Sequence, residues 1–139
     1  MHLASRTDRF AAQFIDGIVT VLPLLTVALA WPASGDTIST AGGILLLAGA
    51  VFAVAYYLFA DALPGGQSLG KHVLGIAVVD QASSAPCSAG QAFLRNFLAS
   101  LLGMLDWIFI FGERRQRLGD MAARTIVVEC DASAALDRR

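Results

Sequence analysis

The sequence contains one long stretch without a charged residue, AGGILLLAGAVFAVAYYLFA, at residues 41–60. An α-helix rises about 1.5 Å per residue, so this stretch reaches about 30 Å, the thickness of the hydrocarbon core of a bilayer. A helix that is apolar on every side needs an apolar environment all around it. The stretch therefore predicts a transmembrane helix in an α-helical integral membrane protein.

A second apolar stretch, residues 10–30, precedes it and contains one charge, Asp16, and one amide, Gln13. It would reach about 31 Å as a helix. A cleaved signal peptide is the alternative, because Arg6 and Arg9 come before the stretch and small residues end it. The length of the stretch, the carboxylate inside it and the second apolar stretch behind it favour a retained transmembrane helix.

A third hydrophobic segment, residues 92–111, is a weaker candidate for a transmembrane helix. Its most apolar part, residues 97–111, would reach only about 22 Å, and Asp106 lies inside it. Gly103 is expected to break the helix, and the Arg95 side chain would have to reach toward the lipid headgroups. We predict a short re-entrant or interfacial segment, with a full crossing as the alternative.

Charge is scarce and unevenly placed. Charged residues make up 15% of the chain and the net charge is −1, so composition gives no indication of nucleic-acid binding. Arg6 and Arg9 precede the first helix, residues 31–40 contain no Lys or Arg, and every other Lys or Arg follows the second helix. The positive-inside rule predicts a cytoplasmic N-terminus. A third crossing would put the basic cluster at residues 114–117 outside, although its expected role is contact with anionic lipid on the cytoplasmic side.

Two short β-branched runs, residues 73–79 and 125–128, are typical of strands. A lone short strand is not stable, so we expect them to pair into a small cytoplasmic two-stranded element. We expect a single membrane domain of residues 1–139, with a cytoplasmic loop and strand at residues 61–90 and a C-terminal cytoplasmic segment at residues 112–139. The loop itself is predicted at residues 61–70, which are rich in Gly.

Residues 65–71, GGQSLGK, have the G-x-x-x-x-G-K spacing of a phosphate-binding loop. That motif requires Ser or Thr next, where this chain has His72, and it requires a preceding strand and a following helix. Here a membrane helix precedes and a strand is predicted to follow. We therefore expect a tight turn with Lys71 at the lipid headgroups and no nucleotide site.

Asp16 is the residue with the clearest chemical meaning. A carboxylate inside a membrane helix costs about 2.5–3.5 kcal/mol on insertion scales, so it usually has a partner and often a function. A cation or proton site and a buried structural contact are both open. Arg9 lies on the same face about 10 Å away, too far for a direct ion pair. Asp106 is a second candidate, either paired with Arg95, sharing a cation with Asp16, or lying at an interface.

Four elements in order resemble the RDD family, named for one arginine and two aspartates. Residues 9–17, RFAAQFIDG, resemble its opening R-x-x-A-x-x-(I/L)-D element, and residues 66–79 resemble its G-Q-(T/S)-x-G-K segment. Residues 94–96 match its R-N element, and residues 116–125, QRLGDMAART, resemble its closing Q-R-L-x-D element. Arg124 departs from the small residue that is usual there, and the stretch before the closing element is short.

The resemblance implies a multi-pass protein of a bacterial inner membrane. It makes Arg9, Asp16 and Asp120 the three residues of the family name, and Gly66, Gln67, Gly70 and Lys71 its loop motif. The activity of the family is mostly unknown, and cation/proton antiport has been proposed for some members. Asp120 is expected to pair with arginines such as Arg9 or Arg117.

Two functions follow as hypotheses. One is a membrane scaffold or accessory subunit, stabilised by an Arg/Asp network and associated with the bilayer and with a second copy or another membrane protein. The alternative is an oligomeric monovalent cation/proton antiporter that uses Asp16. The small size and absence of paired repeats favour the scaffold, whereas an interhelical cavity with polar groups around Asp16 would favour the antiporter. No enzyme activity, cofactor, metal or disulfide is expected.

Overall fold

The computed structural model describes residues 2–29, 40–103 and 116–130. Two long helices, α1 (Arg6–Leu29) and α2 (Thr40–Phe59), are followed by two 3-10 turns at Ala60–Ala62 and Pro64–Gly66. The remaining described elements are, in chain order, α3 (Leu69–Val73), β1 (Ile76–Asp80), α4 (Ala89–Leu102), α5 (Leu118–Ala122) and β2 (Thr125–Glu129). The helices predicted at residues 10–30 and 41–60 agree with α1 and α2 to within a few residues.

Helices α1 and α2 are each long and apolar enough to cross a membrane, and they pack against each other. Their outward faces leave large apolar side chains uncovered. Phe14 on α1 is 63% exposed and Leu47 on α2 is 67% exposed. Soluble monomers rarely expose apolar surface on this scale, so the two helices indicate a membrane protein.

A small sheet lies at the end of the molecule where α1 begins. Strands β1 and β2 pair antiparallel, with Val78 opposite Val127, which confirms the predicted pairing. Leu3 forms a bridge with Val128, so the residues before α1 are tied to β2. The sheet, α1 and α4 share one core of small and β-branched side chains: Ala4, Ala12, Ile76, Val78, Ala92 and Val127. We call residues 2–5, 61–88 and 116–130 the cap.

The segment between α2 and β1 is more regular than the predicted loop. Ser68 caps α3, and its hydroxyl accepts a hydrogen bond from the Lys71 backbone N–H at 3.4 Å. Gly75 then adopts φ of +64°, which favours glycine, and β1 begins at Ile76. The prediction of a strand over residues 73–79 was therefore wrong at its start. An N-cap and a left-handed glycine, rather than the β-branched run, set the boundaries of this helical turn.

Helix α4 contains the first part of the third hydrophobic segment. A capping box of Ser88 and Gln91 starts it, and it ends before Gly103, which has φ of +54°. The predicted break at Gly103 is confirmed. The rest of the segment, residues 104–111 with Asp106, lies outside the described residues, and so do the arginines at 114 and 115 that follow it. Whether this segment is re-entrant or interfacial stays a prediction.

Candidate functional site

Six charged side chains from distant parts of the chain meet where α1, α4 and the cap join. Each is at most 12% exposed. Buried charges are costly unless they are paired, and these side chains pair with one another. We call them the arginine–aspartate network: Arg9, Asp61, Lys71, Arg95, Arg117 and Asp120.

Asp120 is the centre of one half of the network and is fully buried. Its Oδ2 accepts a hydrogen bond from Arg9 Nη2 at 2.6 Å and from the Arg117 backbone N–H at 3.2 Å. Its Oδ1 lies 2.8 Å from Arg95 Nη2. Burial acts to raise the pKa of the Asp120 carboxyl, but the charges of Arg95, Arg117 and Arg9 together lower it. The expected pairing of Asp120 with Arg9 is present.

Asp61 is the centre of the other half. It follows α2 directly, and its carboxylate pairs with Lys71 Nζ and with Arg95 Nη1, the latter at 3.3 Å. The amide of Asn96 donates to the same carboxylate at 3.3 Å. Because Arg95 also contacts Asp120, it joins the two halves of the network.

Two predictions about these cations were wrong. The Lys71 side chain is not exposed as expected, since its ammonium is buried against Asp61. The Arg95 side chain does not reach outward, since it is 1% exposed. The missed residue in both cases was Asp61. Its position at the end of an uncharged stretch was the available signal that a carboxylate needed a partner nearby.

Asp16 lies apart from the network. Its Oδ1 accepts hydrogen bonds from the Tyr56 hydroxyl and the Gly70 backbone N–H, both at 2.8 Å, and its Oδ2 accepts one from Ser68 Oγ at 2.5 Å. Within the described ranges Asp16 makes no ion pair. Hydroxyl and backbone donors thus replace the cation partner that the sequence suggested, and they join α1 to α2 and α3.

The loop motif has packing roles in this structure. A Cβ on Gly70 would overlap the Ala12 carbonyl of α1, and a Cβ on Gly66 would overlap the Val78 carbonyl of β1. Gln67 Nε2 donates to the backbone carbonyl of Ile76 at 3.0 Å. The glycines allow close backbone approach, and the glutamine fixes the turn to β1. The strand predicted to follow the motif is present as β1, but the one-turn helix α3 comes before it.

A cavity of about 140 Å³ lies between α1, α2, α3 and α4, beside Asp16. We call it the Asp16 cavity. Its wall carries both hydrogen-bonding and charged groups, among them Asp16, Tyr56, Ser68, Lys71, Asn96 and Arg117. No group of three or more His, Cys, Asp or Glu side chains able to hold a metal ion occurs among the residues that the structure describes. The cavity can therefore accept a small polar or charged group through hydrogen bonds and ion pairs.

Comparison with known proteins identifies the family and nothing finer. Searches of curated proteins and of solved structures found no match. A family model described as the RDD family matches residues 3–124, most of the chain. That range contains Arg9, Asp16 and Asp120, whose surroundings are described above. The chain therefore belongs to the RDD family.

Proposed function

We propose that this protein is a small, non-catalytic membrane scaffold or accessory subunit held rigid by the arginine–aspartate network. The observation that carries the proposal is Asp120, a fully buried carboxylate that forms ion pairs with Arg9 of α1 and Arg95 of α4. Removing one partner of a buried ion pair costs about 3–5 kcal/mol, because the other charge is left buried and uncompensated. A network of buried ion pairs therefore suits a protein whose role is to keep a fixed structure.

We place the protein in a bacterial inner membrane, with the N-terminus and the cap in the cytoplasm and the third segment not crossing. The pairing of β1 with β2 supports this placement, because both strands must lie on one side of the membrane. The bridge between Leu3 and Val128 supports it further, since it ties the chain before α1 to the same sheet. The scarcity of Lys and Arg between α1 and α2 supports the orientation, because the positive-inside rule puts this connection outside the cytoplasm.

The partners of such a scaffold are the lipid bilayer and a second copy or another membrane protein. The exposed apolar side chains of α1 and α2 support this, because they need lipid or protein around them. Helix α4 adds a smaller apolar face with Phe97 and Leu101, which are 46% and 70% exposed.

The scaffold role is tested by the mass of the complex extracted from membranes in a mild detergent. Native mass spectrometry is expected to find a defined oligomer or a stoichiometric complex with a membrane partner. Asp16→Asn should leave that complex intact, whereas Asp120→Asn should dissociate it by loosening the cap. A wild-type protein that is extracted only as an isolated monomer would refute the scaffold role.

The alternative, a monovalent cation/proton antiporter acting as an oligomer, is favoured by one observation, the Asp16 cavity. Hydroxyl and amide groups line it together with the Asp16 carboxylate, and a membrane carboxylate can exchange a proton for a cation. The test is proton flux driven by sodium, potassium or lithium in liposomes, with Asp16→Asn as the control. Flux that this variant abolishes while it stays folded would replace the scaffold by the antiporter.

A further inference from the structure

The Asp16 cavity continues into an apolar groove on the surface of α1. The groove has a volume of about 480 Å³, and the described residues that line it lie on one face of α1, among them Phe10, Phe14, Ile18, Val21, Leu22 and Leu25. Gln13, Gly17 and Val21 line both the cavity and the groove. The polar Asp16 cavity and the apolar groove thus share one edge, which is formed by residues of α1.

The cavity wall carries two cationic groups able to contact an anion. Lys71 and Arg117 line it, together with the carboxylates of Asp16 and Asp61. A lysine ammonium has three N–H donors, and the hydrogen bond from Lys71 Nζ to Asp61 Oδ1 uses one of them. Lys71 can therefore donate to a second anion while it keeps its partner.

The two carboxylates on the wall do not prevent this. Asp16 already accepts three hydrogen bonds, from Tyr56, Ser68 and the Gly70 backbone. Asp61 is neutralised by its own cations. Donors that point at a carboxylate reduce its repulsion of a neighbouring anion, because they compensate part of its charge.

We propose that the Asp16 cavity binds the phosphate of one anionic phospholipid, with an acyl chain lying in the groove along α1. The apolar groove decides in favour of a lipid over free phosphate, since Phe10 and Phe14 are each 63% exposed and need an apolar neighbour. The cavity lies beside the first half of α1 and the last residues of α2, next to the cap. The topology proposed above puts this level of the protein where headgroups meet acyl chains. The proposal does not depend on the scaffold role.

The test uses the purified full-length chain in detergent and three probes. These are dioctanoylphosphatidylglycerol, dioctanoylglycerol with the same chains and no phosphate, and inorganic phosphate. Native mass spectrometry is expected to show one phosphatidylglycerol per chain. In a separate melting experiment, the same lipid should raise the thermal unfolding midpoint. Dioctanoylglycerol should bind about tenfold more weakly or worse, which is the contribution of one charge-assisted hydrogen bond.

Matched variants locate the site. Val21→Trp fills the edge shared by cavity and groove, and Val54→Trp makes the same change on α2, away from both; the two valines are 54% and 59% exposed. Gly17→Leu gives a second way to block the edge, because a Cβ there meets nothing within 4 Å. Val21→Trp and Gly17→Leu should lose the bound lipid while the protein stays folded, and Val54→Trp should retain it.

Several results would overturn the proposal. Equal binding of dioctanoylglycerol would show that no phosphate is recognised. A full effect of inorganic phosphate alone would assign the cavity to a soluble anion. Lipid binding that survives both blocking variants, or no binding by the wild type, would remove the site. None of these results bears on the mass of the extracted complex, so this proposal and the scaffold role fail separately.

Discussion

Replacing Asp120 by Asn should destabilise the protein more than any conservative change on its surface. Asp120 is fully buried and contacts Arg9 at 2.6 Å and Arg95 at 2.8 Å. The amide keeps the shape of the carboxylate but removes the negative charge that faces the buried guanidinium groups of Arg9 and Arg95. Removing one partner of such a pair costs about 3–5 kcal/mol, which for a chain of this size lowers the unfolding midpoint by about 10 °C.

The assay is thermal unfolding of the purified protein in detergent, followed by circular dichroism. Glu129→Gln is the matched control, because it removes one carboxylate charge from an exposed position at the end of β2, where changes are usually within about 0.5 kcal/mol. Combining Asp120→Asn with Arg9→Met should cost less than the sum of the two single changes, since the residues interact directly. Equal midpoints for Asp120→Asn and Glu129→Gln would refute the reasoning that the network stabilises the fold.

Three further predictions concern the cap. Because the pKa of Asp120 is lowered in the folded protein, its carboxylate stabilises the fold fully above the unfolded-state pKa of about 4, and this stabilisation is lost as the pH falls below that value. An unfolding midpoint that does not fall in acid, measured against the Asp120→Asn variant, would contradict this. Gly70→Ala should destabilise by about 1–3 kcal/mol because its Cβ would overlap an α1 carbonyl, whereas Gly90→Ala, which meets nothing, should be neutral or stabilising in the same melts. Exposed Cys130 should react with a maleimide before Cys87, whose thiol is buried and has a raised pKa. If the cap is cytoplasmic, a membrane-impermeant maleimide should label Cys130 in inside-out vesicles and not in right-side-out vesicles.

Contacts between residues far apart in the chain were the hardest to predict. The hydrogen bond between Arg9 and Asp120 spans 111 positions, and the family motif, not residue spacing, suggested it. The pairing of Lys71 with Asp61 was not predicted, although the two are close in sequence and Asp61 ends an uncharged stretch. Lysine beside an apolar helix has two stable environments, headgroups and a buried carboxylate, and only packing decides between them.

The surroundings of Asp16 show the same limit. Sequence reasoning identified it as a costly membrane carboxylate, because insertion cost depends on residue type and depth. Its donors Tyr56 and Ser68 were not foreseen, since a hydroxyl becomes a partner only when α2 and α3 are placed against α1. The available signal for this contact was the hydroxyl of Tyr56, a polar group near the end of a helix that is otherwise almost entirely apolar.

Local sequence is enough to predict the two apolar helices, the end of α4 at Gly103 and the two strands that pair, because these depend on local hydrophobicity, glycine and β-branched side chains. Three features became visible once the elements were packed together: residues 69–73 form a helical turn, Asp61 joins the network, and Asp16 lies outside it beside a cavity. Each of these depends on which backbone and side-chain groups meet across elements. That meeting is a property of packing, and a linear pattern does not contain it.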